Sequence, residues 1–258
     1  EEYISLGEGP AFTNPVTEVD LGDDSELEHV RLLRENEQTF HLGGIAVRQG
    51  RDSRYTGHSI SLGGRLVRQD IGAVLDGAGA ECSLNGLYLV AGRQHVDHHT
   101  RIDHAAPHTT SRELYKGVLD GKASGVFNGL VLIREGVGKI DAAQTNNNLL
   151  LSGEALVNTN PELEIFADDV KAVHGATIGQ IEEEELFYLR SRGIDSRTAR
   201  HLLIQGFAGE VLERLGMARP GRRLEIGGSI VHQHPPLQSR DHGPAKAGTM
   251  TPVTRAAS

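Results

Sequence analysis

The chain has 258 residues, a formal net charge of −9 with histidine neutral, and a pI of about 5.8. Its basic residues are scattered rather than gathered into a stripe, which excludes the electrostatic footprint of a nucleic-acid binder and makes an anionic membrane surface a poor partner. No apolar run approaches the roughly 20 residues of a spanning helix, and the opening EEYISLGEGP has neither the basic nor the apolar part of a secretory signal. A soluble, cytoplasmic protein is therefore expected. Because the chain starts on Glu1 rather than Met, an N-terminal portion is expected to be missing and an organellar home stays open.

In chain order, residues 1–55 read as strands with loops, for example 30–33 and 39–47, punctuated by Gly, Asp and Asn. From Tyr55 the pattern becomes regular. Short segments rich in aliphatic and β-branched residues (59–62, 65–75, 86–91, 126–133) each end at Gly, Asn or Asp, and 32 glycines supply tight turns. No helical pattern intervenes between Gly57 and Ile181, which disfavours a strand–helix–strand parallel sheet. A sandwich, a barrel and a β-solenoid remain. The solenoid is preferred because strand follows strand through short polar corners, with Asn146, Asn147 and Asn148 as a corner where stacked amides satisfy one another, although no strict hexapeptide or nonapeptide repeat is present.

The single cysteine, Cys82, excludes an intrachain disulfide framework and suits a reducing compartment. An iron–sulfur site takes four thiolates, or two with two histidines, so a cluster here needs ligands from another subunit. Ala80, Cys82 and Leu84 share a strand face, the setting of a small buried hydrophobe.

Three further stretches carry chemical groups. HVDHHTRIDHAAPH offers His95, Asp97, His98, His99, Asp103, His104 and His108; alternation puts His95, Asp97 and His99 on one face and His98 on the other. No zinc spacing such as HExxH is present, and histidines on a half-exposed sheet more often bond their neighbours. GVLDGKAS, residues 117–124, imitates a phosphate loop but fails it, since three residues rather than four separate Gly117 from Gly121 and Ala123 holds the hydroxyl position. In VKAVHGATIG, period 2 places Val170, Ala172, His174, Ala176 and Ile178 on one face, so that His174 reads as a core-facing histidine satisfied by a hydrogen bond.

Glu182 to Glu185 precede Leu186, Phe187, Tyr188 and Leu189, with Arg190, Arg192 and Gly193 following: acid, apolar turn, base, glycine, the signature of a short helix. Asp195 or Ser196 caps a second helix, with Ala199, Leu202, Leu203, Phe207, Val211 and Leu215 as an apolar stripe that covers an open edge of the sheet body or docks a partner. Beyond Met217 the composition of Pro, Gly, His, Ser and Arg reads as a disordered tail in which His232, His234 and His242 are incidental. The expected division is 1–180 for the β body, 181–216 for the helical unit and 217–258 for the tail.

The run from about Arg93 to Leu215 resembles the SufD-type subunit of the SUF iron–sulfur cluster assembly machinery. HTRIDHAAPH, SRELYKGVLDGKASGVFNG, TNNNLLLS, VKAVHGATIG and LFYLRSRGI carry the resemblance, and the HGAT block is similar to the D-type rather than to the B-type, which holds the cluster-building cysteine. The resemblance implies a mainly β chain: a right-handed parallel β-helix followed by a small C-terminal α-helical domain. It implies a non-enzymatic scaffold that pairs with a B-type subunit, with a homodimer as the alternative, and that docks a C-type ABC ATPase on the helices, where Phe187, Tyr188, Arg190, Arg192 and Gly193 are the candidate residues. No tightly bound cofactor is implied in the isolated chain, only a transient iron–sulfur cluster at a subunit interface, with His174 as its ligand or helper. Two departures stand out, the lack of the family's N-terminal helical region and the length of the tail after Met217. Outside this family, the rival readings are a carbohydrate-active β-helix using Asp97 and Asp103 as acid and base, weakened by the absence of Trp, and a self-contained metal binder using the histidines between 95 and 108.

Overall fold

The computed structural model describes residues 1–215; His232, His234, His242, the expected tail and Gly216 of the expected helical unit lie outside the described residues. The strands run β1 (Glu2–Ile4), β2 (Phe12–Thr13), β3 (Val16–Leu21), β4 (Glu26–Arg34), β5 (Phe40–Gln49), β6 (Arg54–Ser61), β7 (Leu66–Leu75), β8 (Glu81–Val90), β9 (His95–His104), β10 (Thr110–Leu119), β11 (Ser124–Ile133), β12 (Ile140–Leu150), β13 (Leu156–Ile165) and β14 (Val170–Gly179). The helices α1 (Glu183–Ser191) and α2 (Ser196–Arg214) follow. From β4 onward the strands alternate between two parallel seven-stranded sheets, the first ordered β1-β4-β6-β8-β10-β12-β14, the second β13-β11-β9-β7-β5-β2 with β3 also beside β5. This is a parallel β-helix, as expected, and each strand pairs with the strand one coil away rather than with its neighbour in sequence.

Register turns the interior into rows. In the first sheet, Leu84 pairs with Glu113, Glu113 with Gln144 and Gln144 with His174, while Gly86, Tyr115 and Asn146 form the adjoining row. Facing them in the second sheet, Gln69, His98 and Phe127 are in register, as are Ile71, Thr100 and Gly129. The aliphatic core includes Leu75, Ile102, Leu119, Val131 and Ile133. Two large side chains need glycine beside them: a Cβ on Gly86 would run into the Tyr115 ring, and one on Gly117 into the Tyr88 ring. Gly117 therefore belongs to packing inside β10, while Lys122 of the same GVLDGKAS stretch pairs with Glu154 at 2.9 Å on the surface.

The asparagine run is not a corner. It lies within β12, where Asn146 and Asn148 are buried and Asn147 faces outward. Alternation puts the outer two amides in the lumen, and a tyrosine two coils away serves them. The Tyr88 hydroxyl donates to Asn148 Oδ1, Asn148 Nδ2 donates to Asn146 Oδ1 at 2.7 Å, and Asn146 Nδ2 donates to the Tyr115 carbonyl at 3.2 Å.

The helices pack on the outer face of the first sheet. Ala208 and Val211 of α2 meet Leu87, Leu89, Leu114, Val118 and Leu149, and Lys116 Nζ is 2.7 Å from Glu210 and donates to the Phe207 carbonyl at 3.0 Å. The stripe expected from sequence is rotated slightly: Leu202 is exposed, and Ala208 and Ile204 take part instead. The stripe covers a sheet face, so the last coil, β13 and β14, keeps its free edge. Asp195 caps α2, its carboxylate accepting from the backbone N–H of Arg197 at 3.0 Å and of Thr198 at 3.1 Å.

Candidate functional site

His174 sits on β14, the last strand of the first sheet. Its parity is inward, as period 2 predicts, and Val170 and Ala172 on the same face do pack against the core. Yet His174 is exposed, and among the described residues it has no hydrogen-bond partner. The expectation of a satisfied core histidine fails because β14 ends the stack: no further coil covers the ring, and the chain leaves for α1. Large apolar side chains of the last coil are exposed, Val173 58%, Ile178 51%, Phe166 62% and Leu156 68%, interspersed with exposed Asn158, Asn160, Glu162, Glu164 and Lys171. An unpaired strand edge with exposed apolar side chains beside it has the hydrogen-bonding groups and apolar area that another strand can pair with.

Below His174 in the same row lie two residues that the sequence reading passed over. Gln144 is buried, and its Nε2 donates to Glu113 Oε2 at 2.6 Å. Burial pushes the Glu113 carboxyl up to about 7, against the hydrogen bond from Gln144, which pulls it down. The one available signal was a polar residue at inward parity in an otherwise apolar strand.

The histidines between 95 and 108 divide as alternation requires, and their groups go to different partners. His95 Nδ1 is 2.7 Å from Ser124 Oγ, and His99 is 3.0 Å from Asp97, which also holds Arg68 at 2.6 Å. His98 is fully buried between the Tyr88 and Tyr115 rings, 5.3 Å from each, and burial lowers it to about 3. His104 is buried between Thr109 and Ser111, and burial lowers it to about 4. His108 forms a left-handed turn at φ 61°. Among the described residues no group of three or more His, Cys, Asp and Glu converges to hold a metal ion. Nor do Asp97 and Asp103 form an acid–base pair. Six residues along one strand separate them by about 20 Å, against roughly 5 to 10 Å for glycosidase carboxylates, and Asp103 is engaged by Arg134 at 2.9 Å through both oxygens.

Cys82 is buried among Tyr55, Leu84 and Tyr115, and burial, with Glu113 nearby, pushes its thiol far up. It offers no thiolate to a visitor. The one accessible imidazole at the open end therefore fits a shared metal cluster only as one ligand among several, the others coming from outside the chain.

On α1, Leu186 is buried while Phe187 and Tyr188 are 73% and 55% exposed. Arg190 is exposed, the Arg192 guanidinium stacks 4.4 Å from the Tyr188 ring, and Gly193, at φ 85°, ends the helix in the left-handed conformation that glycine adopts freely. All five candidate docking residues are thus exposed, on the C-terminal half of α1 and at its end. None of the described helices is long and apolar enough to cross a membrane.

The family described as "SUF system FeS cluster assembly, SufBD core domain" matches residues 1–207. An iron–sulfur cluster assembly SufBD family protein of Synechocystis is 41% identical over 215 residues, covering 83% of this chain and 48% of the relative. The iron–sulfur cluster assembly protein SufD of Escherichia coli is 35% identical over 235 residues, covering 88% and 56%. A chloroplastic protein of Arabidopsis thaliana, ABCI7, is 36% identical over 216 residues, covering 83% and 46%. The chain spans about half the length of these relatives.

Proposed function

The chain belongs to the SufBD core family, and from that premise we propose that it acts in SUF iron–sulfur cluster assembly as a D-type, non-catalytic scaffold subunit. In this reading the last coil pairs with a B-type subunit, a C-type ABC ATPase docks on the tip of α1 through Phe187, Tyr188, Arg190, Arg192 and Gly193, and a nascent cluster forms transiently between the two scaffold chains. The cluster is cargo, and His174 contributes an imidazole to it or steadies it while partner thiolates hold the iron. ATP binding closes a pair of C-type subunits, pulls on the helical units and opens the scaffold interface to iron and sulfide.

One observation carries the reading: His174, an inward-parity histidine on the last described coil, is left uncovered beside an open strand edge that also exposes Val173 and Ile178. The buried thiol at Cys82 supports the requirement for outside ligands.

Anaerobic co-expression with B-type and C-type subunits, followed by mass and iron analysis, tests the assembly. A stoichiometric complex that loses its iron, but not its partners, on His174→Ala is the expected result. Normal cluster formation in that variant removes His174 from the mechanism, and a chain that ignores both partners or forms only a homodimer overturns the scaffold assignment.

A further inference from the structure

The first coils enclose a polar network that the proposed function leaves unused. Arg31, on β4, is fully buried. Its Nε donates to Glu1 Oε2 at 2.8 Å, its Nη2 to Thr17 Oγ1 at 2.8 Å and its Nη1 to Gln69 Oε1 at 3.0 Å. A guanidinium can only donate, so the Gln69 amide has one possible orientation: Oε1 faces Arg31, and the Nε2 hydrogens face elsewhere. On β5, His41 Nδ1 lies 2.7 Å from Glu35 Oε2, while Thr13 donates to the other carboxylate oxygen at 2.5 Å. The carboxylate accepts, so Nδ1 carries the ring proton. Burial favours the neutral ring, in which Nε2 keeps its lone pair.

Each of these two side chains has one atom left over. Gln69 Nε2 and His41 Nε2 are buried without a partner among the described residues, and they are complementary, the first a donor and the second an acceptor. Both face the same point. Gly43 is in register with Gln69 across the ladder of β5 and β7, and it follows His41 by two residues on β5. A Cβ on Gly43 would lie 2.7 Å from Gln69 Nε2, 2.9 Å from His41 Nε2 and 3.0 Å from Arg31 Nη1. Three nitrogens from three strands thus surround the bare α-carbon of one glycine. Gly43 is not among the residues of positive φ, so what glycine supplies here is space and not backbone freedom.

We propose that this point is a binding site for one water molecule, which accepts from Gln69 Nε2, donates to His41 Nε2 and lies within reach of Arg31 Nη1. The three groups select it. The guanidinium repels a metal cation, and Glu1 and Glu35 set two carboxylates of the network against that one positive charge, so an anion is repelled as well. A small neutral molecule that both donates and accepts is required, and the partners number the two to four that a buried water uses. Bound there, the water links β5 to β7 and, through the Gln69 amide, to Arg31 on β4. It thereby closes a hydrogen-bonded connection between the two sheets across the lumen.

The test uses the full chain, labelled with ¹⁵N, and NMR cross-relaxation from water to side-chain amides, with the Gln69 signals assigned by their loss in Gln69→Met. The expected result is a cross-peak between water and the Gln69 Nε2 hydrogens, of the sign that marks a bound molecule rather than hydrogen exchange. Gly43→Ala, whose methyl group takes the space between the three nitrogens, is expected to abolish that cross-peak. Its absence in the unaltered chain overturns the proposal, whether or not the variant folds. So does a scalar coupling between Gln69 Nε2 and His41 Nε2, which would show that the two groups bond to each other directly. A cross-peak of full strength in folded Gly43→Ala overturns it too, because the water would then sit elsewhere.

Discussion

At the scale of single residues, the interior holds groups whose protonation opposes the fold. His98 has both ring nitrogens without partners among the described residues and is lowered from 6.5 to about 3. A histidine depressed in the folded state contributes stability that is complete above its unfolded value and is lost as pH falls from about 6.5 toward 3, here on the order of several kcal/mol. His98→Phe keeps the ring between Tyr88 and Tyr115 and removes the titration. Urea midpoints of the variant are expected to fall much less steeply between pH 6 and 3.5; equal slopes would show that the acid limb comes from elsewhere. Alternation made the parity of His98 and His174 readable from the sequence. What separates a sealed histidine from an available one is the presence of a next coil, and no local pattern carries that.

At the scale of elements, α1 and α2 were legible because their signals are local: acid first, base last, Asp195 as cap and glycine at the stop. Where α2 lands was not, because a period of 3.6 states that a face must be covered and not what covers it. The asparagine run was misread for a related cause, since polar residues mark corners only when a strand interior is apolar, and this lumen accepts amides paired with tyrosine. Val211 is fully buried against the outer face of the first sheet. Val211→Asp is expected to cost about 3 kcal/mol of helix docking and to free the helical unit while the ladders persist. Limited proteolysis after residue 180, with amide protection in β8 and β10 read in parallel, checks this; loss of protection in both strands would mean that helices and β-helix fold as one unit.

At the scale of the whole molecule, the class was readable from the many short strands without helical interruption, yet the coils were not, because their rows are filled differently. The row that reads Leu84, Glu113, Gln144, His174 has no repeat to detect. The exposed apolar side chains of this end are a global feature, contributed by β13, β14 and the segment between them. Replacing Phe166 and Val173 by Glu is expected to weaken association with a B-type partner at least tenfold while leaving the chain folded, as read by light scattering and circular dichroism. Unchanged association would place the interface elsewhere.

A stack of this kind can be lengthened or shortened by whole coils without disturbing the rest. One more coil laid over β14 would turn His174 into ordinary filling, bonded and silent; one fewer would bring Gln144 to the surface in its place. What makes the site is thus the count of coils, so a relative could gain or lose this histidine's role by an insertion that leaves every residue around it unaltered.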